Sequence, residues 1–292
     1  MQVDHYFTIG SVHQAQGTPC QDYALSGVLN DSVCYGVVAD GCSGANAHTD
    51  IGARAISWAF IKTLRERIAG PDTVFAFDMF FHEALRNNFK AMQYDPYLPN
   101  DLQNYLATLV AFIATPSHTQ VLVHGDGAIA VKYANGDIEL REFRWWDNMP
   151  FYLAYQQDTD LTDSFYQVYS SEFIEPLSIK CTRFKQGEPA LEVLSTSTTR
   201  FSLNDVFKGV VEVFHPEDEE IVALALFTDG IEQLGSDPLK VAQEFLAFKN
   251  FEGEFVKRRV MRALKTFHKE GLVPRDDVGV SVVWFGKEQA HG

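Results

Sequence analysis

A run of seven apolar residues that ends at an Asp-Gly pair constrains this fold more than any other feature. The run is Ile221–Phe227, and Thr228, Asp229 and Gly230 follow it directly. An unbroken apolar run beside a turn signal predicts a strand that is buried on both faces. Its β-branched start and its Asp-Gly end favour a strand over a buried helical segment. The Asp229 carboxylate is therefore expected where a buried strand meets solvent, although a lone Asp-Gly pair usually marks an ordinary turn.

The same arrangement recurs at three other places in the chain. The segment VCYGVVADG ends at Asp40 and its glycine, and QVLVHGDG ends at Asp126 and its glycine. A fourth apolar segment, VGVSVVWF, begins directly after Asp276 and Asp277. Four unrelated turns could produce this pattern, but turns usually contain more Asn, Pro and Ser. We therefore favour the interpretation that the four strand ends meet at one edge of the sheets.

Carboxylates that meet in this way predict a divalent-cation site. They repel one another and raise each other's pKa unless a cation neutralises them. Oxygen ligands favour Mg²⁺, Mn²⁺ or Ca²⁺ over zinc and copper. The glycine after the aspartate permits a tight turn and lets a backbone carbonyl approach an ion. Asp22, which precedes another predicted strand, joins this site if it lies near Asp40.

Composition excludes several classes of function. The chain has 292 residues, of which 46% are hydrophobic, so a large core is possible. The net charge of −15 argues against nucleic acid or an anionic membrane as the main partner. The four cysteines form no CxxC pair, which argues against zinc and predicts reduced thiols in a cytoplasmic protein. No stretch has the pattern of a signal peptide or a membrane span.

The order of the predicted elements indicates a four-layer α-β-β-α sandwich, an α+β fold. Helices are predicted over residues 51–68, 73–92, 238–248 and 252–269, and each pair of helices follows a strand that ends in Asp-Gly. The remaining elements are strands, including a hairpin at Asn135-Gly136. Two antiparallel sheets covered by two helix pairs give the four layers. The prediction is one domain over residues 1–292.

Residues 144–216 differ from the rest because they are polar and only weakly periodic. Strands are possible at 177–182 and 190–194. The segment is predicted to be an insert: either a mobile lid at the rim of the site or an exposed excursion without a catalytic role.

An ordered set of motifs resembles one known family. The motifs are CQDY, VVADGCSGA, DIGARA, LATLVAF, GDGAI, LFTDGIEQ and DDVGVSVV, in this order. Together they resemble the PPM-type (protein phosphatase 2C-like) metal-dependent serine/threonine phosphatases over nearly the whole chain except about 144–216. The resemblance implies an α-β-β-α sandwich with two Mg²⁺ or Mn²⁺ ions in the cleft between the sheets. It also implies hydrolysis of phosphoserine or phosphothreonine in proteins by a water that these ions activate.

The resemblance assigns roles to individual residues. Asp40 and the Gly41 carbonyl match the family's bridging ligands, and Asp229 and Asp276 match the carboxylates on the other ion. Asp22 matches the acid that orients the activated water.

Asp126 matches an acid that, with the Asp229 position, holds a weaker third ion in bacterial members. Those members carry a flap near the active site where this chain has residues 144–216.

The chain departs from the family at the substrate-binding positions. Many members have an arginine a few residues before the Asp22 position, but this chain has none before Arg54. His13 lies in that neighbourhood, so we expect His13 to line the phosphate side of the site. Cys42 stands where many eukaryotic members have a histidine that is proposed as the general acid. A nucleophilic Cys42 is disfavoured, because a neighbouring carboxylate raises the pKa of a thiol.

Two alternatives to a protein phosphatase follow. A catalytically weak family member could bind a phosphoprotein or a nucleotide as a regulatory module, which the missing Arg and His motivate. A β-sandwich with structural Ca²⁺ is the other alternative.

Overall fold

The computed structural model describes residues 1–42, 48–68, 77–93, 102–169, 175–185, 191–202 and 208–286. Within these ranges the strands are β1 (Gln2–Thr8), β2 (Tyr23–Asn30), β3 (Val33–Ala39), β4 (Leu109–Ala114), β5 (Thr119–His124), β6 (Gly127–Tyr133), β7 (Ile138–Trp145), β8 (Leu177–Lys185), β9 (Glu192–Phe201), β10 (Val210–Phe214), β11 (Ile221–Phe227) and β12 (Val278–Trp284). They form two antiparallel sheets. One has the order β1-β12-β11-β6-β7-β8-β9, and the other has the order β10-β5-β4-β3-β2.

Helices cover the outer face of each sheet. The α-helices of the described ranges are α1 (Ser11–Gln16), α2 (Asp50–Arg67), α3 (Met79–Gln93), α4 (Thr159–Tyr169), α5 (Pro238–Phe245) and α6 (Phe255–Lys269). Short 3₁₀ turns lie at Leu102–Tyr105, Trp146–Asn148, Leu153–Gln157 and Asp229–Gln233. Helices α2 and α3 pack on the five-stranded sheet, and α5 and α6 pack on the seven-stranded sheet. The predicted four-layer α-β-β-α sandwich is confirmed.

Strand β11 shows why its apolar run is unbroken. Leu224 and Leu226 face the core between the two sheets, whereas Ala225 and Phe227 face the core beneath α5 and α6. Side chains of a strand alternate between faces, so a strand with a core on each side needs apolar residues at every position. The buried-strand interpretation of Ile221–Phe227 is correct.

All four predicted helices are present, and α5 begins at Pro238 as predicted but ends at Phe245 rather than at 248. Helix α6 begins at Phe255 rather than at 252, because Glu252 lies in a turn in which its amide donates to Asn250 Oδ1 at 2.7 Å. Within the described residues α3 begins at Met79, and the first part of its predicted range lies among residues that the structure does not describe. Helix α1, which carries His13, is not predicted from the sequence.

The segment 144–216 contributes to both sheets. Its β8 and β9 extend the seven-stranded sheet, and its β10 pairs with β5 at the edge of the other sheet. The predicted strand at 177–182 is present within β8, and β9 lies later than predicted, at Glu192–Phe201. Nearly all residues of β9 are exposed, since it is an edge strand with polar side chains. Among the helices that the structure describes, none combines the length and hydropathy that a membrane crossing requires.

Candidate metal centre

The structure brings the predicted carboxylates together at the ends of five strands. Asp22 precedes β2, Asp40 follows β3, Asp126 lies between β5 and β6, Asp229 follows β11, and Asp276 lies just before β12. Strands from both sheets therefore supply acids to one cleft. Several of these acids lie close enough for the charge of one to raise the pKa of another.

Asp40 lies at the centre of the electrostatic interactions. Desolvation raises its pKa well above the usual value, and the charges of Asp229, Asp22 and Asp126 raise it further. The carboxyl groups of Asp22 and Asp40 also share a hydrogen bond. A bond between two carboxyl groups needs a proton on one of them. Without a cation, burial and the neighbouring negative charges favour the protonated form of Asp40.

Asp22 is fixed by a neighbouring strand end. Its Oδ2 accepts a hydrogen bond from the Thr228 hydroxyl at 2.7 Å, and Thr228 Oγ1 accepts from the Gly279 amide at 2.8 Å. Thr228 thus links the ends of β11 and β12 to the start of β2. Burial raises the pKa of Asp22 to about 7. The hydrogen bond from Thr228 acts in the opposite direction, because it stabilises the ionised carboxylate and lowers the pKa.

Hydrogen bonds and close packing fix the backbone at Asp40 and Gly41. The Asp40 amide donates to Thr108 Oγ1 at 3.2 Å, and the Asp40 carbonyl accepts from the Thr108 amide at 2.8 Å. A Cβ atom on Gly41 would lie 2.5 Å from the Thr49 carbonyl oxygen. Only glycine fits this close approach of two backbone segments.

Asp229 and Asp126 also have raised pKa values, caused by burial and by neighbouring negative charges. Desolvation raises the pKa of Asp229 well above its usual value, and the charges of Asp126, Asp22 and Asp276 add to the shift. Burial raises the pKa of Asp126 to about 6, and Glu232 contributes through its charge.

Gln233 bridges two of the carboxylates. Its side-chain amide donates to Asp276 Oδ2 at 2.7 Å and lies 3.5 Å from Asp229 Oδ2. The 3₁₀ turn Asp229–Gln233 brings this side chain back over the aspartate that begins the turn. Sequence reasoning missed this residue, and the sequence gives no signal for it, because a glutamine in a turn is ordinary.

His13 lies beside the same cluster. Its Nδ1 is 3.0 Å from Asp277 Oδ2 and 3.8 Å from Asp276 Oδ1. One ligand atom from each of these three residues lies within 4.8 Å of the other two, which is the only such His, Cys, Asp or Glu group among the described residues. The structure therefore places His13 next to the predicted ligand Asp276.

Asp277 anchors the N-terminal segment to the start of β12. Its two carboxylate oxygens accept from the amides of Gly10 and Gln21, each at 2.6 Å. Gln21 in turn accepts from the Gly41 amide through its carbonyl at 3.2 Å. The residue beside the predicted ligand thus has a structural role that sequence reasoning did not separate from that of Asp276.

Two residues of the segment 144–216 approach the site. Burial raises the pKa of the Tyr152 hydroxyl, and a hydrogen bond with Cys42 and the charges of Asp126 and Asp40 raise it further. Arg144 is half-exposed, and its guanidinium lies 3.2 Å from Glu232 Oε2. Because Glu232 acts on the pKa of both Asp126 and Asp229, Arg144 lies at the rim of the carboxylate cluster.

The donor set fits hard divalent cations. Its candidate ligands are carboxylates and one backbone carbonyl, which are the oxygen donors that Mg²⁺ and Mn²⁺ prefer. The raised pKa values of four buried or nearly buried aspartates indicate a negative charge that the protein leaves unneutralised. Such a cluster can bind cations and, through them, a phosphoryl group.

A family model matches most of the chain. The model of the family "Protein phosphatase 2C" matches residues 9–268. The match covers four of the five strand-end aspartates, and Asp276 lies beyond its end. A search of curated proteins finds no match.

Solved structures share the fold at low sequence identity. A crystal structure of a bacterial serine phosphatase superposes with a TM-score of 0.54 and 13% identity, covering 99% of this chain and 100% of that chain. The serine/threonine phosphatase Stp1 from Staphylococcus aureus gives a TM-score of 0.53 and 12% identity, covering 97% of this chain and 95% of that one. At this identity the similarity concerns the fold.

Proposed function

Because this chain belongs to the protein phosphatase 2C family, we propose that it is a metal-dependent phosphatase that hydrolyses phosphoserine and phosphothreonine in proteins. The observation that carries the proposal is the carboxylate cluster at the strand ends. Structural acids in most proteins are paired with cationic side chains or exposed to water. Here, in addition to burial, the charges of Asp229 and Asp22 raise the pKa of Asp40, and the charges of Asp126 and Asp22 raise the pKa of Asp229. This arrangement is stable at neutral pH when cations bind to it.

The proposed ligands follow from the placement of the acids. Asp40, the Gly41 carbonyl, Asp229 and Asp276 would hold two ions, and Asp126 with Asp229 would hold a weaker third. Mn²⁺ or Mg²⁺ is the proposed cofactor. When bound, such ions neutralise phosphoryl oxygens and lower the pKa of water to supply a nucleophile at neutral pH.

The surrounding residues hold these ligands in place. Thr228 fixes the carboxylate of Asp22, which we propose orients the attacking water. Gln233 fixes Asp276 by its hydrogen bond of 2.7 Å. Positioning of this kind contributes to catalysis because the bound groups need no reorganisation during the reaction.

Two cationic or polar side chains are proposed to bind the phosphate. His13 remains the candidate from the N-terminal segment, next to Asp276. Arg144 is a second candidate, because its half-exposed guanidinium lies at the rim of the cluster. A guanidinium can bind two phosphate oxygens at once, which a histidine cannot.

A direct experiment compares phosphopeptides that differ only in the phosphorylated residue. We expect the protein with Mn²⁺ to release phosphate from phosphoserine and phosphothreonine peptides, and the Asp40→Asn variant to release none. Release from phosphotyrosine alone would contradict the substrate assignment. No release from any peptide would contradict the enzymatic assignment.

A regulatory module is the second candidate function. The observation that favours it is Cys42, which occupies a position where many family members have a histidine. Such a module would bind a phosphopeptide in the presence of Mn²⁺ without releasing phosphate. Calorimetric titration with a phosphoserine peptide, followed by a phosphate assay on the same sample, distinguishes the two functions.

We propose that the protein acts on phosphoproteins in the cytoplasm. All four cysteines are free, which suits a reducing compartment. The net charge of −15 disfavours nucleic acid and anionic membranes as partners.

A further inference from the structure

A cavity outside the metal centre has the features of a ligand site. It has a volume of about 390 Å³ and lies between α3, the turn Leu153–Gln157 and the end of β5. Ligand pockets in proteins typically measure about 300–1,000 Å³. The residues that line the cavity are Met79, His82, Glu83, Arg86, His124, Leu153, Gln156 and Lys208. None of them is a proposed metal ligand.

The buried side of the cavity contains a histidine without a hydrogen-bond partner. His124 is only 2% exposed, and neither of its ring nitrogens has a partner within the part of the chain that the structure describes. Burial lowers its pKa to about 3, so the ring is neutral at pH 7. A neutral imidazole has one donor and one acceptor. Buried polar groups without partners are uncommon and costly, so an unpaired histidine in a cavity points to a ligand.

His82 adds a hydrogen-bond acceptor whose atom can be assigned. Its Nε2 lies 3.1 Å from the Phe77 carbonyl oxygen, and a carbonyl only accepts, so Nε2 carries the proton. Burial also lowers the pKa of His82, which keeps the ring neutral. Its Nδ1 is therefore a buried acceptor, and no donor pairs with it among the described residues. The His82 and His124 rings are in edge-to-face contact, with centroids 5.9 Å apart.

The mouth of the cavity is cationic, in contrast to the protein as a whole. Arg86 and Lys208 are both exposed, and neither forms an ion pair within the described ranges. Glu83 is the one acid among the lining residues. The whole chain carries a net charge of −15, so two free cations beside one acid form a local site for an anion.

We propose that this cavity binds a nucleotide: a planar heterocycle that carries a phosphate. The base edge would pair its donor with His82 Nδ1 and exchange hydrogen bonds with His124. The apolar side chains of Met79 and Leu153 would contact the faces of the ring, and Arg86 and Lys208 would bind the phosphate. A carboxylate fits less well because it only accepts and leaves His82 Nδ1 unpaired, and inorganic phosphate fits less well because it has no apolar face to contact Met79 and Leu153.

Calorimetric titration of the full chain in the presence of a chelator tests the proposal separately from the phosphatase assignment. The chelator removes cations, so the metal centre cannot bind the phosphate through metal ions. The probes are the four common nucleoside 5′-monophosphates, the matching nucleosides, and inorganic phosphate. We expect at least one nucleotide to bind, its nucleoside to bind at least about tenfold more weakly, and inorganic phosphate to give no measurable heat.

Surface variants locate the binding site without endangering the fold. Arg86→Ala and Lys208→Ala should each weaken nucleotide binding by about fivefold or more. Lys90→Ala, an exposed substitution one turn further along α3, should leave it unchanged. His124→Phe and His82→Phe should abolish binding, with circular dichroism to confirm that each variant is folded.

Three results would overturn the proposal. The first is that no nucleotide binds. The second is that inorganic phosphate binds as tightly as the nucleotides, which would indicate a simple anion site. The third is that binding survives the Arg86 and Lys208 substitutions unchanged, which would place it elsewhere on the protein. Each result leaves the metal-dependent phosphatase activity as a separate question.

Discussion

Nδ1 of His13 lies 3.0 Å from Oδ2 of Asp277, and both side chains are buried. The same Asp277 carboxylate accepts two backbone amides, so it connects helix α1, the segment before β2 and the start of β12. The position of the neighbouring Asp276, a proposed metal ligand, therefore depends on the N-terminal segment. Substitutions at Asp277 and at His13 are therefore expected to have different effects, the first on stability and the second on phosphate binding.

Asp277→Ala should destabilise the protein even when no metal ion is bound. It leaves the buried amides of Gly10 and Gln21 unpaired, at about 1–3 kcal/mol each, so the free energy of unfolding should fall by about 2–6 kcal/mol. Urea denaturation in the presence of a chelator measures this. The control is Asp218→Ala, which removes an exposed acid. Equal stability of the two variants would show that the Asp277 bonds contribute nothing.

His13→Ala should weaken phosphate binding. If His13 lines the phosphate side of the site, its loss removes one hydrogen bond to a charged group and raises KM for p-nitrophenyl phosphate about tenfold. His268→Ala, at an exposed position in α6, serves as the control. A fall in kcat with unchanged KM would instead assign His13 to positioning Asp276 and Asp277.

Arg144→Ala should also raise KM, by about tenfold or more, because a guanidinium binds phosphate with two hydrogen bonds. Arg144→Lys should recover part of the loss, since it keeps the charge but not the two parallel donors. It also preserves a cation beside the buried Glu142. Arg200→Ala, in the exposed strand β9, should behave as the wild type. An unchanged KM in Arg144→Ala would remove Arg144 from the site.

The stability of the metal-free protein should depend on the Asp22 carboxyl group. Its pKa is about 7 in the folded protein against an ordinary value of 3.8, so the folded state binds more protons between these values. Stability from this group is therefore lost as pH rises from about 4 to 7. Asp22→Asn retains an acceptor for Thr228 and cannot ionise.

The measurement compares melting temperatures of wild type and Asp22→Asn in chelator between pH 5 and 8. We expect the melting temperature of the variant to rise relative to that of the wild type as pH increases. The difference isolates Asp22 from the buried histidines His82 and His124, which titrate in both proteins. A constant difference across this range would contradict the raised pKa.

Much of the candidate metal centre was predictable because of where its aspartates lie in the sequence. Asp40 and Asp229 each end an apolar run that forms a doubly buried strand, and such runs are visible without a structure. That the strand ends meet was expected from the recurring aspartates and from the family resemblance. The order of the strands within each sheet is a tertiary property, and no local signal predicted it.

Other features had weak or misleading signals. Helix α1 is six residues long and contains a single large apolar residue, Val12, so it has no helical period; Gly17, with φ of 70°, ends it. Strand β9 is exposed along nearly its whole length and mostly polar, so only its first residues were predicted as a strand. Arg144 and Gln233 were not predicted because their links to the cluster are tertiary contacts. Arg144 contacts Glu232, and Gln233 contacts Asp276 and, across a turn, Asp229.

Cation binding should stabilise the wild type, and the ligand variants should lose this effect. Mn²⁺ binds the folded cluster and not the unfolded chain, so it should raise the melting temperature by mass action. Asp40→Asn and Asp229→Asn should show little or no rise, and their metal-free melting temperatures should equal or exceed that of the wild type because repulsion is relieved. Asp126→Asn should retain most of the rise, since the ion it would hold is the weaker one. A full Mn²⁺ response in Asp40→Asn would exclude it as a ligand.

The most direct test of the metal-dependent phosphatase is the rate of p-nitrophenyl phosphate hydrolysis as a function of Mn²⁺ concentration, for the wild type and for Asp229→Asn. We predict a wild-type rate that rises with Mn²⁺, saturates, and returns to background when a chelator is added, and a variant rate at background throughout. A wild-type rate that stays at background at millimolar Mn²⁺, or hydrolysis that persists in chelator, would contradict the account.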